Sequence, residues 1–448
     1  MARNAPFGTE DLARVGEAAA RLAWAEGMTV LRPDGQVVPI PLVAEPEVLG
    51  RDELAWVAAE SGAILSGAVK LARALLERDD PRDREALLGP FEGLEAEAMA
   101  RLFTEAPCPA VVSRVDFLVP RDGGPPRALE LNATIPAMPA YADLAAHAWL
   151  RAAARARGLS PREARALVAA CGSHMEALRE TLLAFYAWRG GTRARPSIAL
   201  VARPGDAQIG ELRRLAAHFR QMGHAAENVT PAEADPDRFD LLYRHVWAHR
   251  TPPDSPFARA IREPARWPLA NPVNGLLEAK ALFARLSEAA ADEGLAARAG
   301  LDERERGAAA RLPWTRLLEP SLVPQVVEGR EGYVLKRSWD YGGKSVHLGA
   351  ETGPADWARV VREAAADRRG GGFVVQERVF AVRRPATRVT PEGIDRGDLF
   401  RDISTYGGLL PRHPSGSVVR AASSPIVNIL GGGGLAPVIP VDVWDRLR

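Results

Sequence analysis

The sequence predicts an α+β protein of two or three domains. Three observations carry this. Residues 9 to about 105 keep apolar residues at three- and four-residue spacing, the period of amphipathic helices. A strand–helix–strand pattern occupies roughly 195–275. After residue 330 the chain turns into short apolar runs separated by glycine and proline, the mark of strands. The expected division is a helical region with its first strands over 1–190, a small α/β domain over 195–275, and a strand-rich region over 276–448.

The elements follow in order. "EDLARVGEAAARLAWA", "DELAWVAAESGAILSGAVKLARALLERD" and "GLEAEAMARLF" read as helices, interrupted by the extended piece "VVPIPLV". "AVVSRVDFLVP" and "PRALELNATI" read as two strands joined by the turn signal "RDGGPP". A helical block runs from about Asp143 to Trp188. It is broken near "GLSPRE", whose Ser160 and Glu163 form a capping-box pattern. "SIALVAR" is a buried strand, "DAQIGELRRLAAHFRQMG" an amphipathic helix and "FDLLYRHVW" a second strand. "NPVNGLLEAKALFARLSEAA" opens the last region with a helix. "YVLKRS", "SVHLG", "FVVQERV", "RDISTYGGLL" and "PIVNIL" then read as strands.

Bulk composition excludes several classes. A net charge of +1 across 448 residues gives no general attraction to nucleic acid or to an anionic membrane. The N-terminal stretch lacks the uninterrupted apolar core of a secretion signal, and no unbroken apolar run reaches the roughly 20 residues of a membrane span. Cys108 and Cys171 are too few for a disulfide framework, so a reducing cytoplasm is the simpler setting.

Lysine is the informative residue. Of 58 Lys and Arg, only Lys70, Lys280, Lys336 and Lys344 are lysine. Two of them flank Gly342-Gly343 in "YVLKRSWDYGGKSVHLG". A compact ammonium acts as a point charge on a phosphate, and glycines let backbone N–H groups approach an anion. The stretch therefore reads as a phosphate flap between strands. It is not a P-loop, because the GxxxxGK[ST] spacing is absent. In "SRVDFL" and "ALELNATI", Arg114 and Asp116 lie two apart, as do Glu130 and Asn132. Residues i and i+2 of a strand share a face. The oxygen donors of Asp116, Glu130 and Asn132 suit Mg²⁺; an Arg–Asp ion pair is the plainer reading of the first pair. Gln376 and Glu377 end an apolar strand, Arg420 lies on a strand-like run, and Gly431 to Gly434 form a glycine loop. There is no HExxH, CxxC, GxSxG or GxGxxG. His245 and His249 are spaced i, i+4 but lack a third metal-ligand signal, so they read as structural or surface residues.

Taken together and in this order, "SRVDF", "LELNATI", "NPVNGLLEAKALF", "VLKRSWDYGGKSV", "FVVQERV" and "VVRAASSPIVNILGGGG" resemble the circularly permuted ATP-grasp family. That family includes glutathionylspermidine synthetases and eukaryotic-type glutathione synthetases. The resemblance covers roughly 110–140 and 270–440. It implies an ATP-grasp fold with the small α/β domain inserted as a substrate domain. It implies that Lys280 and Lys336 hold ATP phosphates, that Gly342, Gly343 and Lys344 form the flap, and that Gln376, Glu377 and Val379 line the adenine pocket. It implies Mg²⁺ on Asp116, Glu130, Asn132 and Asp340, with Arg114 facing the transferring phosphate and Arg420 near substrate.

The implied activity is ATP-dependent ligation of a carboxylate to an amine through an acylphosphate, releasing ADP and phosphate. The substrates would be a small-molecule or peptide carboxylate and an amine. The alternative is a non-catalytic nucleotide- or partner-binding protein with the same fold. One departure is plain. Where glutathione synthetases carry serines that contact their dipeptide, this chain has Ile135-Pro136-Ala137, which speaks against γ-glutamylcysteine.

Overall fold

In the computed structural model, which describes residues 7–101, 110–340, 343–410, 416–429 and 431–448, helices and strands mix along the whole chain. Three larger sheets organise it. The largest has seven strands in the order Arg383–Thr390, Leu42–Val43, Gly434–Ala436, Ser417–Ala422, Gly393–Gly407, Ser113–Leu118 and Arg127–Asn132. The 15-residue strand Gly393–Gly407 pairs along its first half with Arg383–Thr390 and along its second half with Ser417–Ala422 and Ser113–Leu118. Five strands thereby close into a ring, which leaves them no free edges.

The second sheet is the small parallel unit, in the order Leu269–Ala270, Leu241–His245, Ile198–Ala202, Ala226–Val229. Every residue of Ile198–Ala202 is buried, as a parallel strand covered on both faces requires. Alternation splits its side chains between two cores. Ile198, Leu200 and Ala202 pack with Phe185 and Phe219, while Ala199 and Val201 pack with Phe257 and Trp267.

The third sheet is antiparallel, in the order Thr315–Leu317, Phe373–Glu377, Tyr333–Arg337, Val346–Leu348. Leu335, Phe373 and Val375 pack on Trp357 and Val361 of the helix Pro354–Ala366. The period of two then turns Val334, Lys336 and Gln376 to the opposite face, where they line a cleft.

The helix Arg51–Arg78 is, by length and composition alone, long and apolar enough to cross a membrane. No unbroken apolar run marks it in the sequence, because the helical stripe spreads its apolar residues. In this fold its stripe, with Leu65, Leu71 and Ala72 fully enclosed, lies against the strand Gly393–Gly407 and the helices Lys280–Ala289 and Glu303–Arg311. The Ser160 capping box forms as the sequence indicates: Ser160 Oγ accepts from the Glu163 N–H at 3.3 Å, and Glu163 Oε2 accepts from the Ser160 N–H at 2.8 Å.

Several elements depart from the sequence reading. The run "PIVNIL" is not a strand over its described residues 425–429, and the short strands Thr315–Leu317 and Val438–Pro440 had no pattern of their own. Ala226–Val229 and Arg383–Thr390 were not legible as strands, and Leu42–Val43 is more than an isolated extended piece. Arg383–Thr390 starts with three exposed residues, so its strand state comes from pairing and not from an apolar pattern.

Candidate functional site

The cleft lies between the antiparallel sheet and the Ser113–Leu118/Arg127–Asn132 hairpin of the large sheet. The hairpin register sets Arg114 opposite Asn132 and Asp116 opposite Glu130. All four side chains therefore emerge on one face and line the cleft. From the other wall come Lys336 and Gln376. Lys280 enters at the start of the helix Lys280–Ala289, whose first N–H donates to the Ser338 carbonyl at 3.0 Å. Asp340, Gly343 and Lys344 arrive from the flap, Glu377 and Val379 from the end of the strand Phe373–Glu377, and Arg420 from the strand Ser417–Ala422. Gly342 lies outside the described residues. Every other candidate residue lines this one cleft.

The cations are held by specific partners. Lys336 is buried and donates to Gln376 Oε1 at 2.7 Å and to the Leu129 carbonyl at 3.3 Å. Burial lowers its pKa to about 8; Glu130 opposes that shift and Lys280 adds to it. Gln376 Nε2 donates to Thr315 Oγ1 at 3.0 Å, so this side chain is enclosed and aims Lys336. Lys280 Nζ donates to the Asp340 carbonyl at 2.9 Å and stands 3.8 Å from Glu130 Oε2. Lys344 is exposed at the flap. Gly343 has φ +74°, and a Cβ there would lie 2.7 Å from Ile426 Cγ2. A glycine serves both needs: left-handed backbone and close approach of the flap to the segment 425–428.

Arg114 and Asp116 do form the ion pair that their spacing allows. Arg114 Nε donates to Asp116 Oδ1 at 2.7 Å and Nη2 to Oδ2 at 3.0 Å. Arg420 Nη2 reaches Asp116 Oδ2 at 2.9 Å and closes tightly on Asp402, with Nε 3.0 Å from Asp402 Oδ2. Two guanidiniums and two carboxylates thus share a buried network. Burial pushes the Asp116 carboxyl up, but the Arg114 and Arg420 charges outweigh it and hold it well below the usual carboxylate range. Both Asp116 oxygens accept from Arg114, and Oδ2 also accepts from Arg420 and from Asn132 Nδ2 at 3.3 Å, so the ion pair is the role the geometry displays for this residue. Glu130, Asn132 and Asp340 keep the oxygen-donor chemistry that suits Mg²⁺. No cluster of three or more His, Cys, Asp or Glu side chains suited to a metal occurs among the described residues.

Other expectations resolve differently. Gly431 to Gly434 do not line the cleft; Pro425 to Asn428 do. Gly434 instead starts a strand, where a Cβ would lie 2.7 Å from the Pro41 carbonyl oxygen. His245 is enclosed, with Nε2 3.1 Å from Gln208 Oε1, and His249 pairs with Glu95 at 2.9 Å, so they share no ligand position.

Sequence reasoning missed three positioning carboxylates. Asp402 anchors Arg420. Glu278 Oε1 accepts from the Ala133 and Thr134 N–H groups at 2.7 and 2.5 Å. Glu211 accepts from the Met138 and Ala140 N–H groups at 2.9 and 3.1 Å. The last two fix both ends of the segment that follows Glu130-x-Asn132. Burial pushes each of their carboxyls up to about 7 against these donors. The only sequence signal was proximity: Glu278 stands two residues before Lys280, and Asp402 opens the "RDISTYGG" run.

No family model and no curated protein matches the chain. Among solved structures it superposes on a glutathione synthetase-like effector from Globodera pallida, solved in the apo form. The TM-score is 0.65 at 14% identity, over 97% of this chain and 98% of that one. The two chains share one fold. At that identity the likeness speaks for the fold alone, and it extends over nearly the whole length of both proteins.

Proposed function

We propose that this glutathione synthetase-like chain is an ATP-grasp protein in circularly permuted order that joins a carboxylate to an amine at the expense of ATP. The observation that carries the reading is convergence. Three of the four lysines in the chain meet Arg114, Arg420 and the oxygen donors of Glu130, Asn132 and Asp340 in one cleft between two sheets. In this reading 276–448 supplies most of the nucleotide site, the hairpin within 1–190 supplies the metal-side wall, and 195–275 serves the substrate.

Each residue's task follows from its placement. Lys280 and Lys336 face the phosphates as charge-assisted donors from two different walls, and Gly343 and Lys344 of the flap cover them. Glu377 and Val379, at the strand end, border the adenine. Gln376 acts through Lys336 by holding its ammonium. Mg²⁺, held by Glu130, Asn132 and Asp340, would neutralise phosphate charge during transfer. Arg114 and Arg420 are preorganised by Asp116 and Asp402, so their guanidiniums need no reorganisation as charge develops on the transferring phosphoryl group. The carboxylate attacks the γ-phosphorus to give an acylphosphate and ADP; the amine then displaces phosphate. No protein nucleophile is required.

The pH dependence of ATP binding tests the nucleotide site. Lys336 must be protonated to hold a phosphate, and in the free protein it loses its proton as pH rises through about 8. The sign for stability is opposite. The unfolded chain holds this proton up to its ordinary 10.5, so the folded state gains stability as pH climbs from about 8 towards 10.5. Calorimetric titration of Mg·ATP between about pH 7 and 9 is expected to show affinity falling above pH 8, with the step absent in Lys336→Met. A pH-independent affinity in wild type would remove Lys336 from the phosphate site.

A further inference from the structure

The segment 133–138 leaves the strand Arg127–Asn132 and turns into the helix Pro139–Ala156. Its last residue, Met138, has φ +91° and ψ 8°. Among the described residues three non-glycines hold left-handed backbone, and the other two are Asp79 and Asn271. Asp and Asn tolerate that conformation through their short polar side chains. A methionine holds it where its surroundings impose it, and such strain collects at functional sites. Met138 is also the N-cap of the helix, and it has no side-chain oxygen to receive helix N–H groups.

Both needs are met from another part of the chain. Glu211, in the helix Ile209–Gln221 of the 195–275 unit, is buried and takes the Met138 and Ala140 N–H groups on Oε2 and Oε1. Its own N–H donates to the Tyr141 hydroxyl at 3.0 Å, and that hydroxyl donates to the Thr29 carbonyl. One carboxylate replaces the missing cap and ties down the strained residue. Burial lifts this carboxyl to about 7 and Asp206 adds to the shift; the two N–H groups and the Arg114 charge oppose it. At pH 8 the ionised form, which accepts both N–H groups, prevails.

The residue before Met138 carries the link to the phosphate cleft. The Ala137 carbonyl accepts from Arg114 Nη1 at 3.2 Å and from the Tyr406 hydroxyl at 3.0 Å. Arg114 and Tyr406 stand opposite each other on paired strands, so the sheet fixes both donors. Their acceptor hangs on the turn outside the sheet, and the turn decides where it lies. Asp116 pins one edge of the Arg114 guanidinium through Nε and Nη2. The plane can still pivot about that edge, and the Ala137 carbonyl on Nη1 stops the pivot.

Resting on the ligase reading, we infer that Glu211 is a positioning residue for Arg114: by holding Met138 in its left-handed turn, it keeps the Ala137 carbonyl on the guanidinium that faces the transferring phosphoryl group. The arginine of the phosphate cleft is thereby aligned through the small α/β unit. Loss of the carboxylate lets Met138 relax, moves the Ala137 carbonyl and frees the outer edge of the guanidinium.

Arginine-selective ¹⁵N NMR of the full chain at pH 8 tests this. The Arg114 Nε–H signal, identified by its loss in Arg114→Lys, should shift in Glu211→Gln, and its hydrogen exchange should quicken at least about tenfold. A glutamine accepts one of the two N–H groups and turns its own NH₂ on the other. Glycine takes left-handed backbone without strain, so in a Met138→Gly background the same Glu211→Gln change should alter exchange by less than about threefold. With hydroxylamine as the amine, kcat for hydroxamate should fall about ten- to a hundredfold in Glu211→Gln with the KM for ATP within about twofold, and by less than about threefold in the glycine background. ADP binding that matches wild type shows that the variants are folded. Should Glu211→Gln fail that check, Glu211→Asp, which keeps the charge and shortens the reach, gives the same readouts. An unmoved Arg114 signal in the folded variant, equal effects in both backgrounds, or a moved signal with unchanged kcat would overturn the inference. If wild type yields neither hydroxamate nor ADP, the ligase reading falls, while a moved and rescued signal keeps Glu211 as the residue that positions Arg114.

Discussion

Replacing Arg420 by alanine is expected to destabilise the protein by about 3–5 kcal/mol, the cost of leaving a buried carboxylate without its counter-charge. Asp402 is buried, and Arg420 is the cation closed on it through Nε and Nη2. Asp116 would keep Arg114, so the damage falls on Asp402. The double variant Arg420→Met with Asp402→Leu removes both charges and should recover most of the stability, since an apolar pair of similar volume avoids the desolvation of both ions. Neither variant should turn over substrate. Chemical denaturation of the three proteins reads the first part. If the single variant is as stable as wild type, Asp402 does not depend on this guanidinium and the buried network is not what fixes Arg420.

Lys336→Met is expected to weaken Mg·ATP binding by about ten- to a hundredfold, the worth of one charge-assisted contact of about 1.5–3 kcal/mol. Stability should move little. The substitution leaves Gln376 Oε1 without its 2.7 Å donor, which costs about 1–3 kcal/mol. It also relieves the burial of an ammonium whose pKa that burial has lowered to about 8. The two effects oppose each other, so a large loss of affinity with a nearly unchanged melting temperature is the signature of a binding residue. Unfolding in step with lost affinity would make Lys336 a structural lysine.

The two pairs Arg114/Asp116 and Glu130/Asn132 were legible because a strand repeats every two residues and the turn signal between them fixes a hairpin; the register then sets them face to face. Lys336 and Gln376 were legible as residues, but their direct contact was not. It arises because Lys336 pairs with Val374 and Val334 with Gln376, a diagonal that only the sheet register supplies. The double pairing of Asp116 was hidden for a related reason. Its arginine partners are one local residue and one 304 positions away, and the distant one brings a second guanidinium to Oδ2. Glu278 and Glu211 carried no pattern of their own, since the segment after Asn132 meets both only once distant parts of the chain have packed. Arg383–Thr390 was hidden by its exposed arginines.

The central claim is catalysis by ATP-driven activation of a carboxylate. The most direct measurement uses hydroxylamine as the amine, Mg·ATP, and a panel of amino acids, short peptides and simple carboxylic acids, with ADP, AMP and hydroxamate quantified together. The account predicts that at least one carboxylate yields hydroxamate and ADP in equal amounts, with no AMP, and that Lys336→Met and Glu130→Ala lose both products together. AMP with pyrophosphate would place attack at the α-phosphorus and contradict the mechanism. Tight Mg·ATP binding with neither ADP nor hydroxamate from any carboxylate of the panel would contradict catalysis and leave a nucleotide-binding protein with this fold.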